Sequence, residues 1–210
     1  FSPQSATACT RCGQGKFGGS AGKGPAVACP GLCSVGKWSN GTGLSADAQC
    51  RVCPAGSFGE GTPGQTSDSC SGQCGQGRWS NRTSLSANDQ CALCSAGRWS
   101  NALGITADDT CVPCALGKWS GVPGLISKVQ CAGECSPGRH ANGKVGLTSD
   151  AACAPCAAGR FSSAPGLATA QMCLGTCDAG TFSTAVAQTN GSLCRSCIAS
   201  QIAPAGSSSC

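Results

Sequence analysis

Cys91-Ala-Leu-Cys94-Ser-Ala-Gly97-Arg98-Trp99-Ser100 opens a stretch that closes at the next pair, Cys111-Val-Pro-Cys114, and this text is written repeatedly along the chain. The 21 cysteines in 210 residues form ten C-x2-C or C-x3-C pairs, beginning at Cys9, Cys29, Cys50, Cys70, Cys91, Cys111, Cys131, Cys153, Cys173 and Cys194, with Cys210 over. From the second cysteine of one pair to the first of the next there are 16 residues eight times and 17 once. A constant period identifies a repeat architecture before any element is assigned. The expected fold is a small disulfide-rich repeat, an elongated ladder of about ten ~20-residue cassettes with short β-hairpins and mostly irregular structure. Residues 1–8 read as an N-terminal extension, 9–197 as the tandem array and 198–210 as a short terminal loop closed by Cys210.

Composition narrows the setting. A tenth of the residues are cysteine, only 11% are charged, and there is no tyrosine and one methionine. So many thiols persist as bridges only in an oxidising compartment, so the chain is expected to be secreted or at a cell or flagellar surface. Residues 1–8 contain no signal-peptide hydrophobic region, and no segment is apolar enough to insert in a membrane. Phe1, the one ring outside the repeat, is expected to fray, with docking on a neighbouring subunit as the alternative.

Within the cassette three slots recur. The third residue after the second cysteine is glycine in nine cassettes (Gly15, Gly36, Gly56, Gly77, Gly97, Gly117, Gly138, Gly159 and Gly180), as expected where φ is positive or another strand passes close. Two residues later stands a ring: Phe17, Trp38, Phe58, Trp79, Trp99, Trp119, Phe161 or Phe182, with His140 once. One ring cannot offset the ordering entropy of a cassette, so the rings are expected to pack between neighbours. Ten or eleven residues after the cysteine comes Gly43-Leu44, Gly104-Ile105, Gly124-Leu125, Gly146-Leu147 or Gly166-Leu167, marking a turn. A hairpin closed by Cys33 and Cys50 would set Trp38 opposite Ser45 with Asn40-Gly41-Thr42-Gly43 at its tip.

Seven basic residues precede the ring: Lys16, Lys37, Arg78, Arg98, Lys118, Arg139 and Arg160. They form a candidate row for an anionic polysaccharide. Acids recur at Asp47, Asp68, Asp89, Asp108 and Asp150, so local pairing is the competing and favoured reading at a net charge of +5. There is no basic cluster for nucleic acid. Three sequons, at Asn40, Asn81 and Asn190, are candidate N-glycan sites, and the many hydroxyls could carry O-glycans.

Two disulfide registers are compatible with the spacing. The sequential one joins Cys12–Cys29, Cys33–Cys50, Cys53–Cys70, Cys74–Cys91, Cys94–Cys111, Cys114–Cys131, Cys135–Cys153, Cys156–Cys173, Cys177–Cys194 and Cys197–Cys210, leaving Cys9 unpaired or intermolecular. The other interlocks Cys9–Cys29 with Cys12–Cys33 and leaves Cys210 over. The first accounts for the final short loop ending on one cysteine; connectivity does not follow from spacing. The spacing also lies in the range of zinc ribbons, but ten alike pairs, an odd total and the sequons favour disulfides, with no metal and no cofactor expected. One histidine in a structural slot, with no acid pair or nucleophile context, argues against an enzyme.

The C-x2-C-x2-G-[KR]-[WF]-S text resembles the ephrin-receptor-like cysteine-rich repeat, a relative in style of the tumour-necrosis-factor-receptor module, over residues 9 to about 197. The resemblance implies an ectodomain with little regular secondary structure, of the kind found in algal and protist surface proteins, including those of flagellar hairs (mastigonemes). It therefore implies a subunit of a glycosylated fibre, its partners being further copies or other fibre subunits. The alternative is a receptor- or adhesin-type ectodomain for a polysaccharide or protein ligand. Ser57 and Thr181 at the basic slot, His140 at the ring slot, and the 198–209 loop depart from the pattern.

Overall fold

The computed structural model describes residues 11–18, 29–199 and 201–210. They fall into two compact units, one reaching to Leu93 and including Ala102–Thr110, the other comprising Cys94–Asn101 and Cys111–Cys210. Cassettes are numbered 1 to 10 from the second cysteine of each pair, so that cassette 1 begins at Cys12 and cassette 10 at Cys197. Cassette 5 contributes its ring half to the second unit and its loop to the first. The Phe1 and Cys9 expectations lie outside the described residues.

Each unit is a succession of disulfide-closed loops with very little regular structure. Nine two-stranded antiparallel sheets, every strand two residues long, occur among the described residues. In each, the dipeptide ending in the ring slot of one cassette pairs with residues between the next two cysteines: Lys37–Trp38 with Arg51–Val52, Arg98–Trp99 with Val112–Pro113, Arg160–Phe161 with Gly175–Thr176. Among the described residues seven single-turn 3-10 helices, such as Asp47–Gln49 and Lys128–Gln130, lead into the closing cysteine. Their last residue helps form them: the side-chain oxygens of Gln49, Gln90 and Gln130 accept the N–H four residues earlier, at 2.6–2.7 Å.

The ten disulfides follow the sequential register, from Cys12–Cys29 to Cys197–Cys210, with Cα–Cα distances of 5.6–6.1 Å. Every cysteine among the described residues is thereby bonded within the chain. Loop closure at 13–18 residues restricts the unfolded chain, a contribution of about 3 kcal/mol per bridge. Eleven half-cystines are among the most deeply buried side chains, so the sulfurs are the core as well as the staples.

The hairpin expected from the sequence is corrected in one respect. Trp38 lies opposite Arg51, not Ser45, because strand pairing begins beyond the disulfide instead of inside the loop it closes. Nor is Gly43 at a free tip: its N–H donates to the Cys12 carbonyl at 2.8 Å, which seats the loop on the preceding cassette. The same bond recurs at Gly64–Cys33, Ser84–Cys53, Gly104–Cys74, Gly124–Cys94, Gly146–Cys114, Gly166–Cys135, Ala187–Cys156 and Gly206–Cys177, at 2.7–3.0 Å. The next residue of each loop accepts from the residue after the preceding ring, as in Ser39 to Gln65 and Ser120 to Leu147. A loop thus completes the hydrogen bonding of the cassette before it, as buried backbone requires.

Candidate functional site

The recurring junction between cassettes is where most of the sequence-predicted residues meet. The ring of one cassette packs on the disulfide and apolar loop residue of the next. Phe58 clusters with Cys74, Leu85 and Cys91, Trp99 with Cys114, Leu125 and Cys131, and Trp119 with Cys135, Leu147 and Cys153. Trp38 and Phe58 are buried, whereas Phe17, Trp79, Trp99, Trp119, Phe161 and Phe182 keep part of their surface in solvent. The outer face of Trp38 carries the Arg51 guanidinium 5.5 Å from the ring centroid, a cation–π contact.

The C-x3-C pairs have a cause that the sequence reading passed over. Each has glycine at its centre (Gly31, Gly72, Gly133 and Gly175), and each glycine lies under a ring, that of Phe17, Phe58, Trp119 and Phe161. A Cβ on Gly72 would fall 2.5 Å from Phe58 Cζ. The signal was present in the sequence as C-x-G-x-C.

His140 fills the ring slot for a similarly local reason. In five other cassettes a serine after the ring accepts an N–H two residues on, as Ser39 Oγ does from Gly41 and Ser80 Oγ from Arg82. Cassette 7 has Ala141 there, and His140 Nδ1 accepts from the Asn142 N–H at 3.0 Å. One imidazole, 4% exposed, supplies both the buried ring and the turn acceptor.

Six of the seven residues of the basic row have partners within the chain. Lys37 pairs with Asp47 at 2.6 Å and Lys118 with Glu134, while Arg139 lies 3.9 Å from Asp150. The Arg78, Arg98 and Arg139 guanidinium groups donate to the carbonyls of Cys91, Cys111 and Cys153 at 2.8–2.9 Å, and Arg160 reaches that of Cys173 at 3.5 Å. These carbonyls follow the 3-10 turns, so the arginines bridge the two arms of each loop. Lys16 is exposed. The Asp47 carboxyl is held below the usual carboxylate range by its bond from Lys37 and then by the Ser34 N–H at 2.7 Å.

Asn40, Asn81 and Asn190 are all exposed. Asn190 also caps the Gly191–Leu193 turn, its side-chain oxygen accepting from the Ser192 N–H at 2.9 Å. The sulfurs a zinc ribbon would use are joined in disulfides. Among the described residues no helix is long and apolar enough to cross a membrane.

Ten disulfides in a chain of this length mark an extracellular or secreted protein. No protein-family model matches the chain, and no curated protein sequence matches it.

Proposed function

We propose that this chain is an extracellular structural protein, a subunit of a disulfide-stabilised, glycosylated fibre of the mastigoneme kind. The observation that carries the reading is that the recurrent side chains are spent on the junctions: rings on the next disulfide, arginines on cysteine carbonyls, glycines beneath neighbouring backbone. A chain that uses its repeated groups to hold each cassette to its neighbours is a scaffold, and the exposed sequons leave its surface free to carry sugar. The partner is a further copy or another fibre subunit, and Cys9 is the one cysteine outside the ten bridges available to link it.

The test is gel electrophoresis and intact-mass measurement of native material after thiol blocking, with and without reductant. A ladder of multimers collapsing on reduction to one glycosylated chain is expected. A monomer with ten bridges, one blocked thiol and no polymer at any concentration would overturn the fibre reading.

A further inference from the structure

We propose that a groove in the second unit binds an anionic saccharide, a hexose chain bearing carboxylate or sulfate. The groove has a volume of about 560 Å³ and is lined by Trp99, Val112, Pro113, Lys118, Lys128 and Val129, among others. It arises from a break in the repeat. In cassettes 2, 4 and 7 the first residue of the 3-10 turn is an acid or amide that ties the turn to the start of its own loop, whereas cassettes 8 and 9 have Ala170 and Gly191 there. Asp47 Oδ1 accepts from Ser34 N–H, Asn88 Oδ1 from Gly75 N–H and Asp150 Oδ1 from Ser136 N–H, at 2.7–2.8 Å. In cassette 6 that residue is Lys128, so the acid is replaced by a base. Lys118, the slot that pairs with the acid in cassette 2, turns instead to Glu134 across the sheet. A gap flanked by two ammonium groups is left where cassettes 2 and 7 hold a closed, charge-compensated arm.

The rest of the groove decides what kind of anion fits. Its floor is apolar and open: Val112 is 46% and Val129 76% exposed, and Trp99 is half-buried. Trp38, Trp79 and Trp119 donate their indole N–H to the carbonyls of Val52, Leu93 and Glu134 at 2.9–3.2 Å. The corresponding residue for Trp99 is Pro113, and among the described residues the Trp99 N–H has no partner. An accessible indole with a spare donor, beside valine and two lysines, matches a pyranose: its C–H face lies on the ring and floor, its hydroxyls accept from the indole, and its acidic group meets the ammonium groups. A peptide carboxylate would use the lysines and leave the indole and valines in water. The Lys118–Glu134 pair is exposed and weak enough to yield to a bound anion.

The experiment is calorimetric titration of the full oxidised chain, at low salt, with oligogalacturonate, a sulfated heparin-derived oligosaccharide, cellohexaose and oligoglutamate. Wild type is expected to bind one or both acidic saccharides, the stronger of the two identifying carboxylate or sulfate, and to bind cellohexaose at least about tenfold more weakly. Lys128→Asp restores a residue that cassettes 2, 5 and 7 carry at this slot, and should fold with ten disulfides and weaken binding by about tenfold or more. Trp99→Phe, a ring used in other cassettes, should weaken binding several-fold without changing its salt dependence. Absence of binding to both acidic saccharides, equal binding by wild type and K128D, equal affinity for cellohexaose, or oligoglutamate binding as tightly as the saccharides would each overturn the assignment. None of these outcomes bears on polymer formation.

Discussion

Gly36 lies beneath the carbonyl of Ser84, two cassettes further along the chain, and a Cβ on Gly36 would fall 2.6 Å from that oxygen. The relation is repeated at Gly15–Gly64, Gly56–Gly104, Gly97–Gly146, Gly117–Gly166, Gly138–Ala187 and Gly159–Gly206, so cassettes are keyed to their second neighbours as well as their first. Because φ at Gly36 is also +81°, Gly36→Ala carries both backbone strain and a collision, a loss of about 2 kcal/mol or more. Gly180 has φ +80° but nothing within 4 Å of a Cβ, and should lose only about 1 kcal/mol; Gly13, open and without positive φ, should lose almost nothing. Thermal melts of the three alanine variants should rank in that order. Equal melting of Gly36→Ala and Gly180→Ala would show that the second-neighbour approach does not limit the fold.

Ala187 sits at φ +55° in the loop slot that Gly104, Gly124, Gly146 and Gly166 occupy at +66° to +73° in other cassettes. An L side chain there strains the backbone, while the N–H still donates to Cys156 at 3.0 Å. Ala187→Gly is therefore expected to stabilise the oxidised protein by about 1 kcal/mol, the strain relieved outweighing the added freedom of the unfolded chain. The check is denaturant unfolding without reductant; a lower midpoint would mean that the strain is already relaxed.

Gln188 occupies the slot filled by Leu85, Leu125, Leu147 and Leu167 elsewhere and is 4% exposed. Its side-chain nitrogen donates to Ser183 Oγ at 2.8 Å and to the Ala185 carbonyl at 2.7 Å, but its oxygen is buried without a partner. An orphaned buried acceptor costs about 1–3 kcal/mol. Gln188→Leu should raise the unfolding midpoint, corresponding to about 1 kcal/mol after the two lost donations. A drop on calorimetric melting would show that those donations outweigh the orphaned oxygen.

Asp47 has a folded-state pKa below its unfolded value, so its bonds from Lys37 and Ser34 contribute stability fully above the ordinary carboxylate pKa of about 4 and lose it as pH falls through the lower folded value. Asp47→Asn should melt lower than wild type near pH 6, and the gap should narrow progressively below about pH 4. A gap that stays the same at every pH would show that it does not come from the Asp47 charge, since the Ser34 bond is one that an asparagine oxygen can also accept.

Much of this molecule was legible because its constraints are local. Cysteine spacing announced the cassette, and Gly36, Gly117 and their equivalents announced a backbone that tolerates no side chain. The ring slot announced a packed face. The loop slot was only half legible. Gly43-Leu44 and Gly104-Ile105 stood out as text, but Gly64-Gln65, Ser84-Leu85, Ala187-Gln188 and Gly206-Ser207 do the same work through backbone groups, which any residue carries. The strand partner of Trp38 was misplaced for a related reason: a hairpin read from one loop places it at Ser45, whereas the disulfide brings residues beyond Cys50 alongside. The basic row read as paired with the periodic acids, but only the folded loop brings Arg78 and Arg139 onto the cysteine carbonyls 13 and 14 residues away. The sequence alone thus determined the cassette, its period and its oxidised core, because those depend on residue types at fixed short spacings. The tertiary structure decided which cassette each ring, glycine and loop serves, because those contacts join groups one and two repeats apart and are made largely by backbone atoms that leave no mark on the text.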